Sequence, residues 1–188
     1  MPKIKVLKDE IIYDGKFIKT IRRHFIDLSG RRKVWEMVER KTFHRIISVT
    51  AITPKKEIVF IKIYRIPLKS YIIEPCMGLT DKKGESEAKT ARRELLEETG
   101  YRIKGKLMKI NIGPHNSGLS ASEIVSYIGL NAQKVVDPKL ESSEDIEVIK
   151  LPFKKAYRYL SHPPKGVKVD IKVFGILYLI SKKFGLPT

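Results

Sequence analysis

Apolar and polar residues alternate along several stretches of this chain, which is the pattern of half-buried β-strands. Turn sequences such as Asp14-Gly15 and Leu28-Ser-Gly-Arg31 separate these stretches, so hairpins are expected between them. The pattern predicts strands over Glu10–Tyr13, Lys16–Asp27, Lys33–Arg40, Phe43–Thr53, Ile58–Tyr64, Glu123–Leu130 and Ile146–Leu151.

Three other segments have a helical pattern. Ser86–Thr99 is followed by Gly100, the residue type preferred just after a helix end. Two later helices are predicted at Phe153–Leu160 and Lys168–Phe184. With no internal repeat, low-complexity tract or long linker, this mixture of strands and helices predicts an α+β fold.

Length and composition agree with this organisation. The chain has 188 residues, of which 42% are hydrophobic, and this is enough for one substantial core. The length excludes a short peptide held together by disulfides. We expect residues 1–45 to form a small N-terminal β subdomain and residues 46–188 to form the main domain. Cys76 is the single cysteine, and the first residues lack the apolar core of a secretory signal. No apolar run is long enough to span a bilayer. We therefore expect a cytoplasmic protein with no membrane partner.

The charge is strongly positive overall, at +17, which is typical of proteins that bind polyphosphate, nucleic acid or an anionic surface. Residues 74–101 differ from the rest, because they carry seven acidic and five basic residues. An acidic segment in a basic protein suits a site where acids hold a metal while bases attract an anionic substrate.

Three glutamates of the acidic segment, Glu94, Glu97 and Glu98, share one face of the predicted helix. Stacked like charges destabilise an isolated helix by roughly 0.2–0.5 kcal/mol per pair, and a divalent cation with oxygen ligands would reverse that effect. Ordinary surface glutamates are the alternative interpretation of such a pattern. The small and apolar stripe beside them, which we expect to pack on a sheet, comprises Ala88, Ala91, Leu95 and Thr99.

Seven residues separate Glu85 from the run Arg93-Glu94-Leu95-x-Glu97-Glu98-x-Gly100-Tyr101. These residues and their spacing resemble the signature of the Nudix hydrolases, G-x5-E-x7-R-E-U-x-E-E-x-G-U, where U is apolar. Six residues separate Gly78 from Glu85, where the family pattern has five, and we expect the turn at Asp81-Lys-Lys-Gly84 to hold the extra residue. The segments Val34–Arg40, Ile63–Pro67, Ile73–Leu79, Ser117–Ser120 and Ser143–Pro152 resemble the ADP-ribose pyrophosphatase branch of the family.

This resemblance implies a fold, an activity and an assembly. The fold would be an α/β/α sandwich with a mixed central sheet. The activity would be hydrolysis of the pyrophosphate bond of ADP-ribose, or of other ADP-sugars, to AMP and ribose 5-phosphate, with Mg²⁺ or with Mn²⁺ in its place. Similar enzymes are homodimers with exchanged N-terminal strands, so residues 1–45 would serve dimerisation and contacts to the substrate base.

The resemblance also implies roles for individual residues. The backbone carbonyl of Met77 and the carboxylates of Glu85, Glu94, Glu97 and Glu98 would bind the metal. Arg93 would orient these carboxylates by ion pairing, so Arg93 and Glu97 count among the catalytic residues. The general base would be Glu144, with Glu141 as the alternative because loop alignments slip easily.

Substrate contacts are implied outside the acidic helix. Trp35 would stack on the adenine and Glu36 would hydrogen-bond to it, with core packing as the alternative for Trp35. Arg40 and Arg65 would bind phosphate or ribose, since a planar guanidinium can bind two oxygens at once. Leu79 and Gly118 complete the residues expected to contact substrate.

Two other functions compete with this hypothesis. The first is a Nudix enzyme that acts on RNA 5′ ends or nucleotide-capped RNA, because +17 exceeds what one dinucleotide-sized ligand requires. Against it, the chain has no RNA-recognition signature. The second is a catalytically silent binding module, which the intact set of glutamates disfavours.

Overall fold

The N-terminal part of the molecule is a separate antiparallel sheet. The computed structural model describes residues 3–41 and 45–185. Strands β1 (Lys5–Asp14), β2 (Ile18–Ile26) and β3 (Arg32–Arg40) form this sheet in that order. Strand β1 begins five residues earlier than the alternation predicts. Many large apolar side chains of this sheet are exposed, among them Val6, Ile11, Tyr13, Val34 and Trp35.

A mixed sheet of eight strands forms the centre of the molecule. The strands that follow β3 are β4 (Arg45–Ile52), β5 (Glu57–Arg65), β6 (Ser70–Glu74), β7 (Cys76–Leu79), β8 (Tyr101–Ile103), β9 (Leu107–Pro114), β10 (Glu123–Leu130), β11 (Ala132–Lys134), β12 (Ile146–Pro152) and β13 (Val167–Val169). The main order is β13-β6-β5-β4-β10-β9, with β12 paired to β5 and β7 paired to β4, while β8 and β11 pair separately. The β4–β10 and β6–β13 pairs are parallel.

The central sheet changes partners at Pro75. Before this proline, β6 pairs with β5, and after it β7 pairs with β4. Strands β4 and β5 pair at Ala51↔Val59 and Ile52↔Ile58, and their pairing ends beyond that point. Because proline has no N–H to donate to a ladder, a change of partner at this position loses no backbone hydrogen bond.

Helices cover both faces of the central sheet. They are α1 (Glu87–Thr99), α2 (Phe153–Ser161) and α3 (Lys172–Phe184). Alternate residues of β5 face opposite sides: Val59 and Ile61 pack in the cluster that contains α1, whereas Ile58 and Phe60 pack in the cluster that contains α2 and α3. The predicted α+β fold, an α/β/α sandwich with a mixed sheet and a small N-terminal β-sheet, is confirmed.

Several element boundaries differ from the predictions. The helix predicted from Lys168 begins at Lys172, because Val167–Val169 pairs as a strand with β6 and the Asp170 side chain accepts the Lys172 N–H. The alternation did not identify the strands β6, β7, β8, β9, β11 and β13. The predicted strand start at Phe43 lies outside the described residues, next to the predicted domain boundary at residue 45. Within residues 3–41 and 45–185, no helix combines the length and apolarity needed to cross a membrane.

Candidate active site

Local signals hold helix α1 in place. The Ser86 hydroxyl caps its start by accepting the Lys89 N–H, and Gly100 ends it with a φ of 74°. A side chain at Gly100 would overlap the Val136 carbonyl. Three residues of the predicted stripe, Ala88, Ala91 and Leu95, pack against the sheet as expected, and the fourth, Thr99, is buried. The glutamate face of α1 is thereby directed toward β7.

A cleft of about 910 Å³ opens beside α1, β6 and β7. The predicted site residues that line it are Arg40, Arg65, Met77, Leu79, Arg93, Glu94, Glu97, Glu98, Glu141 and Glu144. Four other predicted residues, Trp35, Glu36, Glu85 and Gly118, lie outside its lining. The structure therefore brings the acidic helix, both arginines and both candidate bases to one cleft.

Arg93 is the centre of an ion-pair network at this cleft. Its guanidinium contacts Glu94 at 2.8 Å, Glu97 at 2.9 Å, Glu85 at 3.1 Å and Asp81 at 3.1 Å. Hydrogen bonds from Arg93 lower the pKa of Glu85. One partly buried cation thus contacts four carboxylates, and the contact with Asp81 was not apparent from the sequence spacing.

The extra residue between Gly78 and Glu85 lies in a closed turn. The Glu85 N–H donates to the Lys82 carbonyl at 3.0 Å, and Gly84 has a φ of 78°, which a side chain rarely adopts. Because the turn closes within residues 82–85, the insertion leaves Asp81 beside Arg93. The departure from the family spacing therefore does not displace helix α1 from the cleft.

Glu98 is the most unusual group of the cleft. Its side chain belongs to a residue that is only 5% exposed, and its Oε2 atom has no hydrogen-bond partner. Burial raises the pKa of Glu98 to about 8, and the negative charge of Glu94 adds to this effect. Burial also raises the pKa of Glu94. Two neighbouring carboxylates that are poorly solvated and incompletely paired need a cation to be stable in the charged form.

The close contact between Gly78 and Glu94 shows how tightly this acidic group is packed. A Cβ atom at Gly78 would overlap the Glu94 side chain, including its carboxylate. Glycine at this position therefore lets β7 pass next to the carboxylate. The need is for space, since Gly78 does not have a positive φ.

The carboxylates fit a hard divalent cation, although they do not form a closed cage by themselves. Among residues 3–41 and 45–185, no group of three His, Cys, Asp or Glu side chains converges as a metal site. Arg93 contributes to this, because it engages Glu85 and Glu97. The unpartnered oxygen of Glu98, with Glu94 beside it, has the oxygen-donor chemistry that Mg²⁺ prefers.

An ion pair with the buried Glu74 positions Arg65 at the cleft. The Arg65 Nε donates to Glu74 Oε1 at 3.0 Å, and a second guanidinium nitrogen contacts the same oxygen. Glu74 is 3% exposed, and burial raises its pKa although Arg65 acts in the opposite direction. Because Glu74 ends β6 beside Pro75, the change of strand partner fixes the position of this arginine.

The loop of the two candidate bases is attached to the central sheet. The Glu144 carboxylate accepts the Glu141 N–H at 2.8 Å, and the Glu144 N–H donates to the Glu141 carbonyl at 3.0 Å. The next residue, Asp145, accepts the Tyr71 hydroxyl through its side chain and the Tyr64 N–H through its carbonyl. Both glutamates line the cleft, so the geometry leaves either available as a base.

Trp35 lies away from this cleft and from any core. It is 54% exposed, and its indole N–H donates to the Gly118 carbonyl at 3.0 Å beside a smaller pocket. Core packing is therefore excluded for Trp35 in this chain. Glu36 forms an exposed ion pair with Arg22 at 3.1 Å. Neither predicted base-binding residue therefore lines the cleft that contains Glu94, Glu97 and Glu98.

Comparisons with known proteins place the chain in a family. No family model matches it. It is 33% identical over 156 residues to the ADP-ribose pyrophosphatase of Bacillus subtilis, covering 82% of this chain and 81% of that protein. It is 30% identical over 202 residues to the ADP-sugar pyrophosphatase of Mus musculus, covering 97% and 91%, and 31% identical over 159 residues to the putative nudix hydrolase 2 of Caenorhabditis elegans, covering 77% and 70%.

The fold agrees with these sequence relationships. A solved structure described as an ADP compounds hydrolase superposes with a TM-score of 0.79 at 19% identity, covering 100% of this chain and 98% of that one. The fold and the acidic cleft define a hydrolase of the Nudix type. The chain belongs to the Nudix hydrolases, in the branch of the ADP-ribose and ADP-sugar pyrophosphatases.

Proposed function

We propose that this protein hydrolyses the pyrophosphate bond of ADP-ribose, and of related ADP-sugars, to a nucleoside monophosphate and a sugar phosphate with the aid of Mg²⁺. The observation that carries the proposal is the buried Glu98 carboxylate, whose Oε2 lacks a partner in a cleft that also holds Arg65. The Bacillus subtilis and mouse relatives are named for pyrophosphatase activity on such compounds.

The residues would divide the work as follows. Glu94 and Glu98 would hold the cation, with Met77, Glu85 and Glu97 as further predicted ligands. A bound divalent cation neutralises charge on the phosphate oxygens as the bond breaks. Arg65, held by the buried Glu74, would bind a phosphate of the substrate through its free guanidinium edge.

Glu144 would accept the proton of the attacking water. Its carboxylate lines the cleft and contributes to the electrostatic environment of Glu98. General-base catalysis of this kind contributes typically about 10²–10⁴-fold in rate. Glu141 stays the alternative, because it lines the same cleft and sits in the same hydrogen-bonded loop.

A substrate panel tests the proposed activity. It comprises ADP-ribose, ADP-glucose, GDP-mannose, NAD and 5′-capped or triphosphorylated RNA, each with Mg²⁺, with Mn²⁺ and with a chelator. We expect metal-dependent release of AMP from ADP-ribose at the highest kcat/KM. RNA end processing without cleavage of ADP-ribose would replace this function by the RNA alternative, which the net charge of +17 favours.

We also propose that the active protein is a homodimer built through residues 1–45. The exposed apolar side chains of the N-terminal sheet would be covered by a second copy, and Trp35 and Glu36 would then reach the partner's cleft. Sedimentation and kinetics at matched concentrations test this. A monomer with full activity would contradict the shared site.

The reducing cytoplasm is the compartment that we propose. Cys76 is buried, and burial together with the nearby Glu98 raises the pKa of its thiol well above the usual range. Such a cysteine is a poor nucleophile and has no disulfide partner in this chain. Fluorescence imaging of a tagged protein in its source cell would test the location.

A further inference from the structure

The C-terminal segment adds positive charge to the same cleft, beyond the residues that the family signature identifies. Strand β13 pairs with β6 so that Lys168 lies opposite Ile72, and the Asp170 N–H donates to the Ile73 carbonyl at 2.9 Å. Both Lys168 and Lys172 thereby line the cleft. The two lysines reach the cleft because the short strand β13 replaces the first turn of the predicted helix.

The positive groups here outnumber their acidic partners. Lys172 is paired with Asp170 at 2.5 Å, and Arg65 is paired with Glu74. Within the described residues, no ion pair involves Lys168 or Arg40, the remaining two cations of the cleft at this end. Two positive charges are therefore left over for a ligand.

His115 also lines the cleft and is close to several of these cations. Its pKa is lowered by burial and by the positive charges of Lys172, Arg40 and Arg65, against the opposite effect of Asp170. The positive charge of Arg65 also acts on Glu98, whose pKa it lowers against the larger effect of burial. Arg65 therefore lies between the acidic end of the cleft and a basic end, which we define as Arg40, His115, Lys168 and Lys172.

The charge of a simple substrate does not account for the basic end. In a nucleoside diphosphate sugar, each bridging phosphate carries one negative charge, which the metal and Arg65 would neutralise. The adjoining ribose and base are neutral. A phosphate monoester carries a charge of about −1.5 to −2 and three acceptor oxygens, which suits two unpaired cations and a neutral imidazole donor.

We propose that the basic end is a subsite for a phosphate monoester on the nucleoside ribose of the substrate, in addition to its diphosphate. This inference rests on the proposed function for the identity of the substrate. The nucleoside side is favoured because Arg40 brings the end of the N-terminal sheet into this cleft, and that sheet is the part of the chain expected to contact the substrate base. The preferred substrates would then be ribose-phosphorylated relatives of ADP-ribose.

Binding measurements test the subsite without requiring turnover. Isothermal titration calorimetry of the full chain would compare AMP with adenosine 2′,5′-bisphosphate and adenosine 3′,5′-bisphosphate. We expect at least one bisphosphate to bind about tenfold more tightly than AMP, the effect of one charge-assisted hydrogen bond. Equal affinities for all three nucleotides would overturn the proposal.

Two lysine variants show whether the preference comes from this end of the cleft. Lys168→Gln should lower the bisphosphate preference toward unity. Lys165→Gln, at an exposed lysine that precedes β13 and lies outside the cleft, should keep the preference. A preference that survives Lys168→Gln and the Lys168→Gln/Lys172→Gln double variant would overturn the assignment.

Parallel kinetics separate this proposal from the proposed function. The wild-type protein should cleave ADP-ribose 2′-phosphate or 3′-phosphate with a higher kcat/KM than ADP-ribose, and Lys168→Gln should reduce that ratio. Failure to cleave any of these compounds, with bisphosphate binding intact, would contradict the pyrophosphatase activity alone. Cleavage of all of them at equal kcat/KM would contradict the subsite alone.

Discussion

Replacing the ionisable carboxyl of Glu98 should stabilise the metal-free protein and abolish its activity. The pKa of this carboxyl is about 8 in the folded protein and 4.5 in the unfolded chain. Between these values the folded state holds a proton that the unfolded chain has released, so stability falls as the pH rises. Relative to low pH, where the carboxyl is protonated in both states, the free energy of unfolding is lower by about 3 kcal/mol at pH 7 and by about 1 kcal/mol at pH 5.5.

Glutamine has the same shape and does not ionise. Glu98→Gln should therefore raise the free energy of unfolding of the metal-free protein by up to about 3 kcal/mol at pH 7, and by about 1 kcal/mol at pH 5.5. Urea unfolding in the presence of a chelator, followed by circular dichroism, measures both values. Glu147→Gln, at an exposed ion pair with Lys62, is the control and should change stability by less than about 1 kcal/mol at either pH.

Adding Mg²⁺ should reverse the order of stability of the wild type and Glu98→Gln. The wild type should become more stable at pH 7 as the cation compensates the buried charge, whereas Glu98→Gln should respond weakly and should not turn over ADP-ribose. The reasoning would be refuted if Glu98→Gln destabilised the metal-free protein equally at both pH values. Unchanged turnover in this variant would refute the metal assignment.

Three further variants probe the rest of the cleft. Gly78→Ala should lower kcat/KM at least about tenfold, because the new Cβ displaces the Glu94 carboxylate. Circular dichroism should show that the fold is retained. A fully active variant would contradict this packing argument. Glu144→Gln should lower kcat by about 10²–10⁴-fold with little change in the affinity for ADP-ribose, and Glu141→Gln is the matched comparison in the same loop. A loss of kcat in Glu141→Gln but not in Glu144→Gln would make Glu141 the base. Arg93→Lys should reduce the free energy of unfolding by about 1.5–3 kcal/mol, the worth of a lost hydrogen bond to a charged group, since a lysine cannot contact all four carboxylates. Thermal unfolding at several salt concentrations would measure the loss.

The sequence was most informative where the local pattern and the tertiary contacts agree. The helix from Glu87 to Thr99 was predicted almost to its ends, because Ser86, Gly100 and the apolar stripe are local signals that packing then reinforces. The strands β4, β5, β10 and β12 were found for the same reason, since they alternate between two buried faces. The short strands β8 and β11 have only three residues each, too few for a periodic pattern to appear.

Strand β13 illustrates where a local pattern fails. Val167–Val169 is continuous with the apolar residues of helix α3, and a helical pattern can be extended through it. Pairing with β6 and the turn at Asp170 decide the outcome instead. This difference also affects function, because the strand directs Lys168 and Lys172 into the cleft, and neither lysine belongs to a motif that the sequence made visible.

The candidate site divides in a similar way. The spacing from Glu85 to Tyr101 was enough to identify the acidic helix, the resemblance to Nudix hydrolases and the residues expected to bind metal. Only the structure shows that Arg93 engages Asp81 as well, that Glu74 fixes Arg65, and that Glu98 Oε2 lacks a partner. Spacing along one helix is a local property, whereas burial and ion pairing depend on which strands meet there.

By itself, the sequence determined the order of most elements, the acidic helix and the chemistry that its glutamates can perform. The tertiary structure decided which of those glutamates is buried, where Trp35 lies relative to the cleft and which distant lysines join the site. The physical reason is that helical and strand periods are set by near neighbours, whereas the pKa of a carboxyl depends on solvent exclusion and charges brought together from remote parts of the chain.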